Sequence, residues 1–235
     1  MNETIKTLLN RSSCKSYLDK AVPDELINEV VETGLYAPNG MGMQNTACFV
    51  ITNKEIRDEL EKENANVMGK EGIHPFYNAP VVILVIAKGV TGIYDGSCTM
   101  DNMLNAAYSL GLGACWIHRA KETCESEFGK KLLLDNGFNP AEWIGIGNLI
   151  LGYPAAEYKP KAPRKENRVI YKKEEERQEE ERLKKLKHEY FEKFHELVPI
   201  IYGRDISADM IEHAIMTGMP ITSADFGPVP PHIFL

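Results

Sequence analysis

Nothing in the chain is long and apolar enough to cross a bilayer. A spanning helix takes roughly 20 apolar residues, and the longest clear run is Ala79 to Ala87. The opening residues Met1-Asn2-Glu3-Thr4 also lack the apolar core of a signal peptide. Together these predict a cytoplasmic protein with no membrane partner. Positive charge is short as well: 27 Lys and Arg stand against 34 Asp and Glu, for a net charge of −7. That balance excludes bulk electrostatic binding to nucleic acid. The five cysteines (Cys14, Cys48, Cys98, Cys115, Cys124) are scattered, with no C-x-x-C pair. This excludes a disulfide framework, a zinc site and an iron–sulfur cluster, so no metal is expected. No G-x-G-x-x-G turn follows a strand candidate, which excludes a separate dinucleotide-binding fold. No internal repeat suggests a solenoid.

What is present is an ordinary globular composition, 43% hydrophobic and 26% charged. Apolar periodicity predicts a short helix over Thr4–Leu9 and a stronger one over Pro23–Tyr36, with Leu26, Ile27, Val30, Val31 and Leu35 on one face. Strands are expected at Cys48–Thr52, Pro80–Ala87, Ala114–Ile117 and Ile144–Leu151. Further helices are expected at Lys54–Asn64, Ser97–Leu110 and Cys124–Leu134. Strands alternating with helices predict an α/β or α+β class, one central sheet covered on both faces. Cys48 and Cys115 read as small core residues.

After Tyr171 the composition changes. Lys172–Lys187 is almost entirely charged, with Glu180–Lys184 and Glu181–Lys185 spaced to support an exposed helix. Leu183, Leu186, Tyr190, Phe194 and Leu197 then form an apolar stripe. Ala208–Thr217 is a second helix, framed by Ser207 and Gly218. The end, from Gly227 to Leu235, is too proline-rich to be regular. The organisation expected is therefore a domain over 1–171 and an extension over 172–235. The extension holds too little apolar material for an independent core and is expected to pack on the body or on a second subunit.

Two basic segments flank the first part, Arg11-Ser12-Ser13-Cys14-Lys15 and Arg164-Lys165. In an extended segment alternate residues share a side, so Arg11, Ser13 and Lys15 can converge on one anion. Two cations and a hydroxyl suit a phosphate, and Arg164 and Lys165 can close the same site. The bland alternative is a helix-ending loop with solvated charges. Cys14 either has a lowered pKa among these cations or is a small residue facing away from the phosphate. Between the basic segments lies Ala37-Pro38-Asn39-Gly40-Met41-Gly42-Met43-Gln44. Its glycines allow close backbone approach to a flat ring, and Gln44 and Asn45 can offer amides to a pyrimidine edge. Read plainly, it is a turn after a helix. Asp95-Gly96-Ser97 reads as a helix N-terminus with anion affinity or as simple capping. Gly111 to Arg119 reads as a glycine turn feeding a short strand.

In order and together, these segments resemble the FMN-dependent nitroreductase family, in particular its compact bacterial members. The resemblance rests on R-x-S-x-K (Arg11, Ser13, Lys15), A-P-x-G-x-x-x-Q (Ala37, Pro38, Gly40, Gln44) and Asp95-Gly96-Ser97. It continues through G-L-G-A-C-W-I-H (Gly111 to His118), L-G-Y-P (Leu151 to Pro154) and Ala162-Pro163-Arg164-Lys165-Glu166. It implies an α+β nitroreductase-like fold, a central mixed sheet flanked by helices, in an intertwined homodimer with two FMN at the interface. Arg11, Ser12, Ser13 and Lys15, with Arg164 and Lys165, would then hold the phosphate and ribityl chain. Pro38, Asn39, Gly40, Met41, Gly42 and Gln44 would meet the isoalloxazine of the neighbouring subunit. Trp116, Ile117 and His118 would lie along the N5/O4 edge, and the segment from Arg168 to Tyr171 would join the partner's sheet. Many members carry Asn and, two residues on, Gln-Pro. Here those Asn and Pro positions hold Gly42 and Asn45, so backbone, Asn39 or Asn45 must replace the usual Asn contact. The tail from 172 onward matches nothing in the family.

The activity implied is NAD(P)H-dependent reduction of nitro, quinone-like or related small-molecule acceptors, by ping-pong hydride transfer through flavin N5. No side chain is a required acid, and His118 is the one candidate proton donor. A second reading, of a different class, is a flavin-binding redox sensor or docking protein that uses the charged tail. A specialised branch, reductive dehalogenation or flavin destruction, would share the same binding residues.

Overall fold

The stretch Val81–Lys88 is apolar at every position but its last, a composition suited to a strand covered on both faces. In the computed structural model, which describes residues 1–69, 72–158, 161–172, 174–199 and 206–226, this stretch is a strand buried from Val81 to Ala87. It is β2 of a four-stranded sheet whose other members are β1 (Thr46–Ile51), β3 (Gly113–Ile117) and β4 (Trp143–Gly152), in the order β1-β2-β4-β3. Every described pairing is antiparallel. Among the described residues the sheet is thus antiparallel rather than mixed. The physical reason lies in the connections. Ile51, which ends β1, pairs with Val82, which opens β2. The helix between them, α3 (Lys54–Val67), is therefore part of an out-and-back excursion and not a crossover.

Alternation along the strands sends side chains to two separate cores. One face buries Val81, Ile83, Val85, Leu149 and Leu151 against α2 (Asp24–Leu35) and α4 (Gly92–Ser109), which contribute Ile27, Val30, Met100 and Met103. The other buries Val82, Leu84, Ile86, Cys115 and Ile117 against Leu60 of α3 and against α5 (Ala120–Glu125) and α6 (Glu127–Asp135). An N-terminal helix, α1 (Glu3–Asn10), is amphipathic yet buries no residue.

Three boundaries differ from expectation. Helix α4 begins at Gly92, well before Ser97, because Gly92 and Gly96 weaken its local signal while tertiary packing still holds that turn. The helix expected over Cys124–Leu134 is two helices. Ser126 takes an extended conformation between them, and its hydroxyl accepts from Gly129 N at 3.1 Å, capping α6. The segment from Arg168 to Tyr171 carries no strand within the chain, and Val169, Ile170 and Tyr171 are exposed.

The chain divides into two compact units, Met1–Ala162 and Pro163–Leu235. The second contains α7 (Glu174–Phe194) and α8 (Ala208–Thr217). Against expectation it closes a small core of its own. Leu186 and Tyr190 of the apolar stripe meet Ile211 and Ala214 of α8, with Ile206 and Ile221 completing the cluster. Tyr190 is wholly buried, and its hydroxyl accepts from Ile221 N at 3.0 Å. The caps of α8 are the expected ones: Ser207 accepts from Met210 N, and Gly218 takes φ +72°. On α7 the ion pairs formed include Arg177–Glu181 and Lys185–Glu189, and Glu180 pairs with Lys172. Such exposed partners exchange at little cost. The proline-rich end, 227–235, lies outside the described residues.

Candidate functional site

Helix α1 stops at Asn10, and Arg11 turns the backbone to an extended conformation (φ −51°, ψ 133°). The following residues then run beside the sheet. Cys14 N donates to Ala114 O at 3.0 Å, Leu18 N donates to Tyr153 O at 2.9 Å, and Tyr17 bridges Pro154. Extended backbone imposes the alternation expected of it. Ser13 and Lys15 line a cleft of about 670 Å³, whereas Cys14 is buried on the other side, its Sγ donating to Ser16 O at 3.2 Å.

The cleft sits along β3 and the turn after it. Cys115, Trp116, Ile117, His118 and Arg119 form one wall; Met68, Ile73, His74, Pro75 and Tyr77 form the other. Lys15 Nζ lies 5.6 Å from the centroid of the Tyr77 ring. Arg11 and Ser12 are half-buried and do not line the cleft, but the charge of Arg11 reaches it. Burial pushes the Cys115 thiol up, and the Ser13 hydroxyl and the Lys15 and Arg11 charges pull against that shift. The three residues of R-x-S-x-K thus surround one point on β3. Among the described residues no ion pair engages Arg11 or Lys15, and no acidic side chain lines the cleft.

The Pro38–Gln44 loop is absent from the lining of this cleft. It is an exposed 3₁₀ turn over Gly40–Gly42, with Met41, Gly42 and Gln44 at φ +54°, +65° and +50°. Asn39 holds it from within: its Oδ1 accepts from Gln44 N at 2.9 Å and its Nδ2 donates to Ala37 O at 3.3 Å. The amide of Asn39 is therefore spent inside the loop. Asp95 is placed differently from either reading given to it. It lies inside α4, only 4% exposed, where its Oδ1 accepts from Gly40 N at 2.9 Å and its Oδ2 from Thr91 Oγ1 at 2.8 Å. It tethers the loop instead of opening an anion site. A Cβ on Gly40 would lie 2.7 Å from the Thr91 side chain, so the tether requires glycine there. Arg164 and Lys165 are exposed residues of the second unit, and the cleft is lined by the first unit alone.

Asn64, Arg119 and the second wall of the cleft carry no signal in the sequence. Asn64, fully buried on α3, donates from Nδ2 to His118 O at 2.8 Å. Its Oδ1 accepts from Arg119 Nε at 3.2 Å and Nη2 at 3.0 Å. Arg119 adopts φ +73°. Nothing in the spacing of a charged helix marks one Asn as a brace for a turn 54 residues away. The wall from Met68 to Tyr77 has no periodicity to find. Its shape comes from Glu61, which accepts from Phe76 N at 2.7 Å and meets His74 Nδ1 at 3.2 Å. Trp116 packs its indole near Gly147, its Nε1 without a partner among the described residues, and His118 is exposed.

A model of the Nitroreductase family matches residues 8–147. The chain belongs to the nitroreductase family. Among its nitroreductase relatives, a protein of Methanothermobacter thermautotrophicus provisionally named NADH dehydrogenase/NAD(P)H nitroreductase is 30% identical over 165 residues, covering 65% of this chain and 76% of that one. The FMN reductase [NAD(P)H] of Bacillus subtilis is 23% identical over 189 residues, covering 69% and 71%. In three dimensions the chain is similar to an FMN-bound nitroreductase of Bacteroides fragilis. The TM-score is 0.67 at 26% identity, over 73% of this chain and 100% of that one. An FMN-bound nitroreductase of Desulfitobacterium hafniense gives 0.66 at 25% identity, over 74% and 100%.

Proposed function

We propose that this chain is an NAD(P)H-dependent FMN oxidoreductase that reduces nitro, quinone-like or related acceptors as a homodimer. The observation that carries the reading is the cleft along β3 that Ser13 and Lys15 line, with the charge of Arg11 acting on Cys115 and with no carboxylate among the described lining residues. Two cations and a hydroxyl without an anionic partner fit a phosphate. The wall beyond, from Trp116 to His118, offers backbone to a flat ring. FMN bound there supplies the hydride-accepting and electron-donating chemistry between NAD(P)H and the acceptor.

The chain's own part is to bind and to orient. Arg11, Ser13 and Lys15 hold the phosphate, and the extended backbone from Arg11 to Tyr17 fixes their common side. Asn64 fixes the turn at His118 through its carbonyl. His118 lines the cleft and is its candidate proton donor; with no enzyme acid required, solvent water is the other source of the protons that reduced acceptors take up. The Pro38–Gln44 loop, exposed and outside this cleft, serves the site of the neighbouring subunit. The dimer is supported by apolar surface without cover in the first unit: Leu8 and Leu9 on α1, Tyr36, Met41 at 89% exposure and Val90 at 99%.

The test compares FMN with riboflavin, which lacks the phosphate, by titration of the apoprotein. Lys15→Ala and Arg11→Ala should each weaken FMN binding by about 10- to 100-fold, the worth of one charge-assisted hydrogen bond, and leave riboflavin unchanged. Equal losses for both ligands would overturn the assignment.

A further inference from the structure

The cleft has two cationic poles, and one phosphate satisfies only one of them. The first is the Arg11–Ser13–Lys15 group around Cys115. The second is Arg119. At about 3.3 Å per residue, the four steps from Cys115 to Arg119 carry the backbone up to about 13 Å along the cleft. The second pole is built, not incidental. Asn64 is fully buried and spends its Oδ1 on Arg119 Nε and Nη2, while its Nδ2 locks the carbonyl of His118. A guanidinium has five donors in a fixed plane. Here both N–H groups of Nη1 and the second N–H of Nη2 have no partner among the described residues. No ion pair neutralises Arg119 there either. A half-buried, uncompensated cation pinned in one orientation is expensive to hold unless an anion completes it.

We propose that Arg119, positioned by Asn64, binds an anionic oxygen group, carboxylate or phosphate, on the molecule that enters the cleft beside the flavin. The inference deepens the oxidoreductase reading and rests on it: the flavin phosphate takes the Lys15 pole, and Arg119 selects for charge in the second ligand. That anion has two sources, an acceptor carrying a carboxylate and the pyrophosphate of the nicotinamide donor. Arg119 is thus a specificity residue, in the wall of the cleft on a backbone at φ +73°.

The FMN-loaded protein is titrated with benzoate and benzamide, equal in shape and different in charge, by calorimetry and by perturbation of the flavin absorbance. Arg119→Gln should weaken benzoate about tenfold and leave benzamide within twofold. Asn64→Ala should shift benzoate in the same direction, the two proteins being compared at equal FMN loading. Should Asn64→Ala fail to fold, Arg119→Gln decides alone. The donor arm compares NADH with 1-benzyl-1,4-dihydronicotinamide, which has no phosphate. A raised KM for NADH alone assigns the pyrophosphate to Arg119, and a loss confined to benzoate assigns the acceptor. Equal loss of benzoate and benzamide, or no effect on benzoate and NADH alike, overturns the proposal. A wild-type protein that holds no FMN, or whose flavin neither dihydronicotinamide reduces, contradicts the oxidoreductase reading instead.

Discussion

Replacing Asp95 with alanine cuts a side-chain link between α4 and the Gly40–Gly42 turn. Two hydrogen bonds to a carboxylate are lost, from Gly40 N at 2.9 Å and from Thr91 Oγ1 at 2.8 Å. Bonds to a charged acceptor contribute about 1.5–3 kcal/mol each. Part of that sum is returned, because a carboxylate at 4% exposure no longer has to be desolvated and water can reach the freed Gly40 N–H. The net cost should be about 2–3 kcal/mol. In a domain of this size each kcal/mol lowers Tm by about 2–4 °C, so Asp95→Ala should melt about 4–12 °C below wild type at fixed protein and FMN concentration. Asp95→Asn keeps an acceptor for Gly40 N and a polar partner for Thr91, and should lose less than half as much. Calorimetry and urea titration read both variants. An Asp95→Ala protein within about 0.5 kcal/mol of wild type, below the cost of even one lost hydrogen bond, would refute the tether. So would Asp95→Asn being as damaging as Asp95→Ala, since the charge and not the geometry would then be what counts.

Four further outcomes rest on the same geometry. Burial pushes the thiols of Cys48 and Cys124 up to about 12 from 9.0, Glu125 adding to the second. Below pH 9 both states keep the proton and nothing changes. Between 9 and about 12 the unfolded chain loses protons that the folded one keeps, so stability falls with rising pH. The slope approaches about 1.4 kcal/mol per pH unit for each thiol, and urea midpoints for the Cys48→Ala/Cys124→Ala protein should fall less steeply. Gly145→Ala would set a Cβ 2.1 Å from the carbonyl oxygen of Ala120. Backbone cannot yield as a side chain does, so a loss of about 3 kcal/mol or more, or insoluble protein, is expected. In the second unit, Tyr190→Phe removes the acceptor of Ile221 N and should cost about 1–2 kcal/mol. Arg182→Ala, which cuts exposed bridges to Glu179, Asp209 and Glu212, should leave the urea midpoint unchanged.

The sequence was legible where structure is local. β2 announces itself because both its faces are buried, and α8 because Ser207 and Gly218 cap a short apolar period. The R-x-S-x-K segment is readable because extended backbone forces alternation, which is why Ser13 and Lys15 share the cleft and Cys14 does not. Legibility fails where one residue acts across the chain. Asp95 looked like a helix start, since nothing local reveals that its carboxylate reaches Gly40. Asn64 lies on a helix whose neighbours are charged, and its brace on Arg119 exists only once α3 packs beside β3. The mixed sheet was what the family resemblance implied, whereas within this chain α3 returns to the end of the sheet it left and every described pairing is antiparallel. In the second unit, the apolar stripe of α7 looked too thin for a core because the residues that complete it, Ile206, Ile211 and Ile221, are spread over short, separate pieces.

The central claim is that the cleft beside β3 holds FMN in a form that NAD(P)H reduces. The most direct measurement adds NADH or NADPH anaerobically to the purified FMN-loaded protein and follows the flavin absorbance. The account predicts bleaching by at least one of the two and return of the colour when a nitro or quinone acceptor is added. An FMN-loaded protein whose absorbance neither nucleotide changes would contradict it.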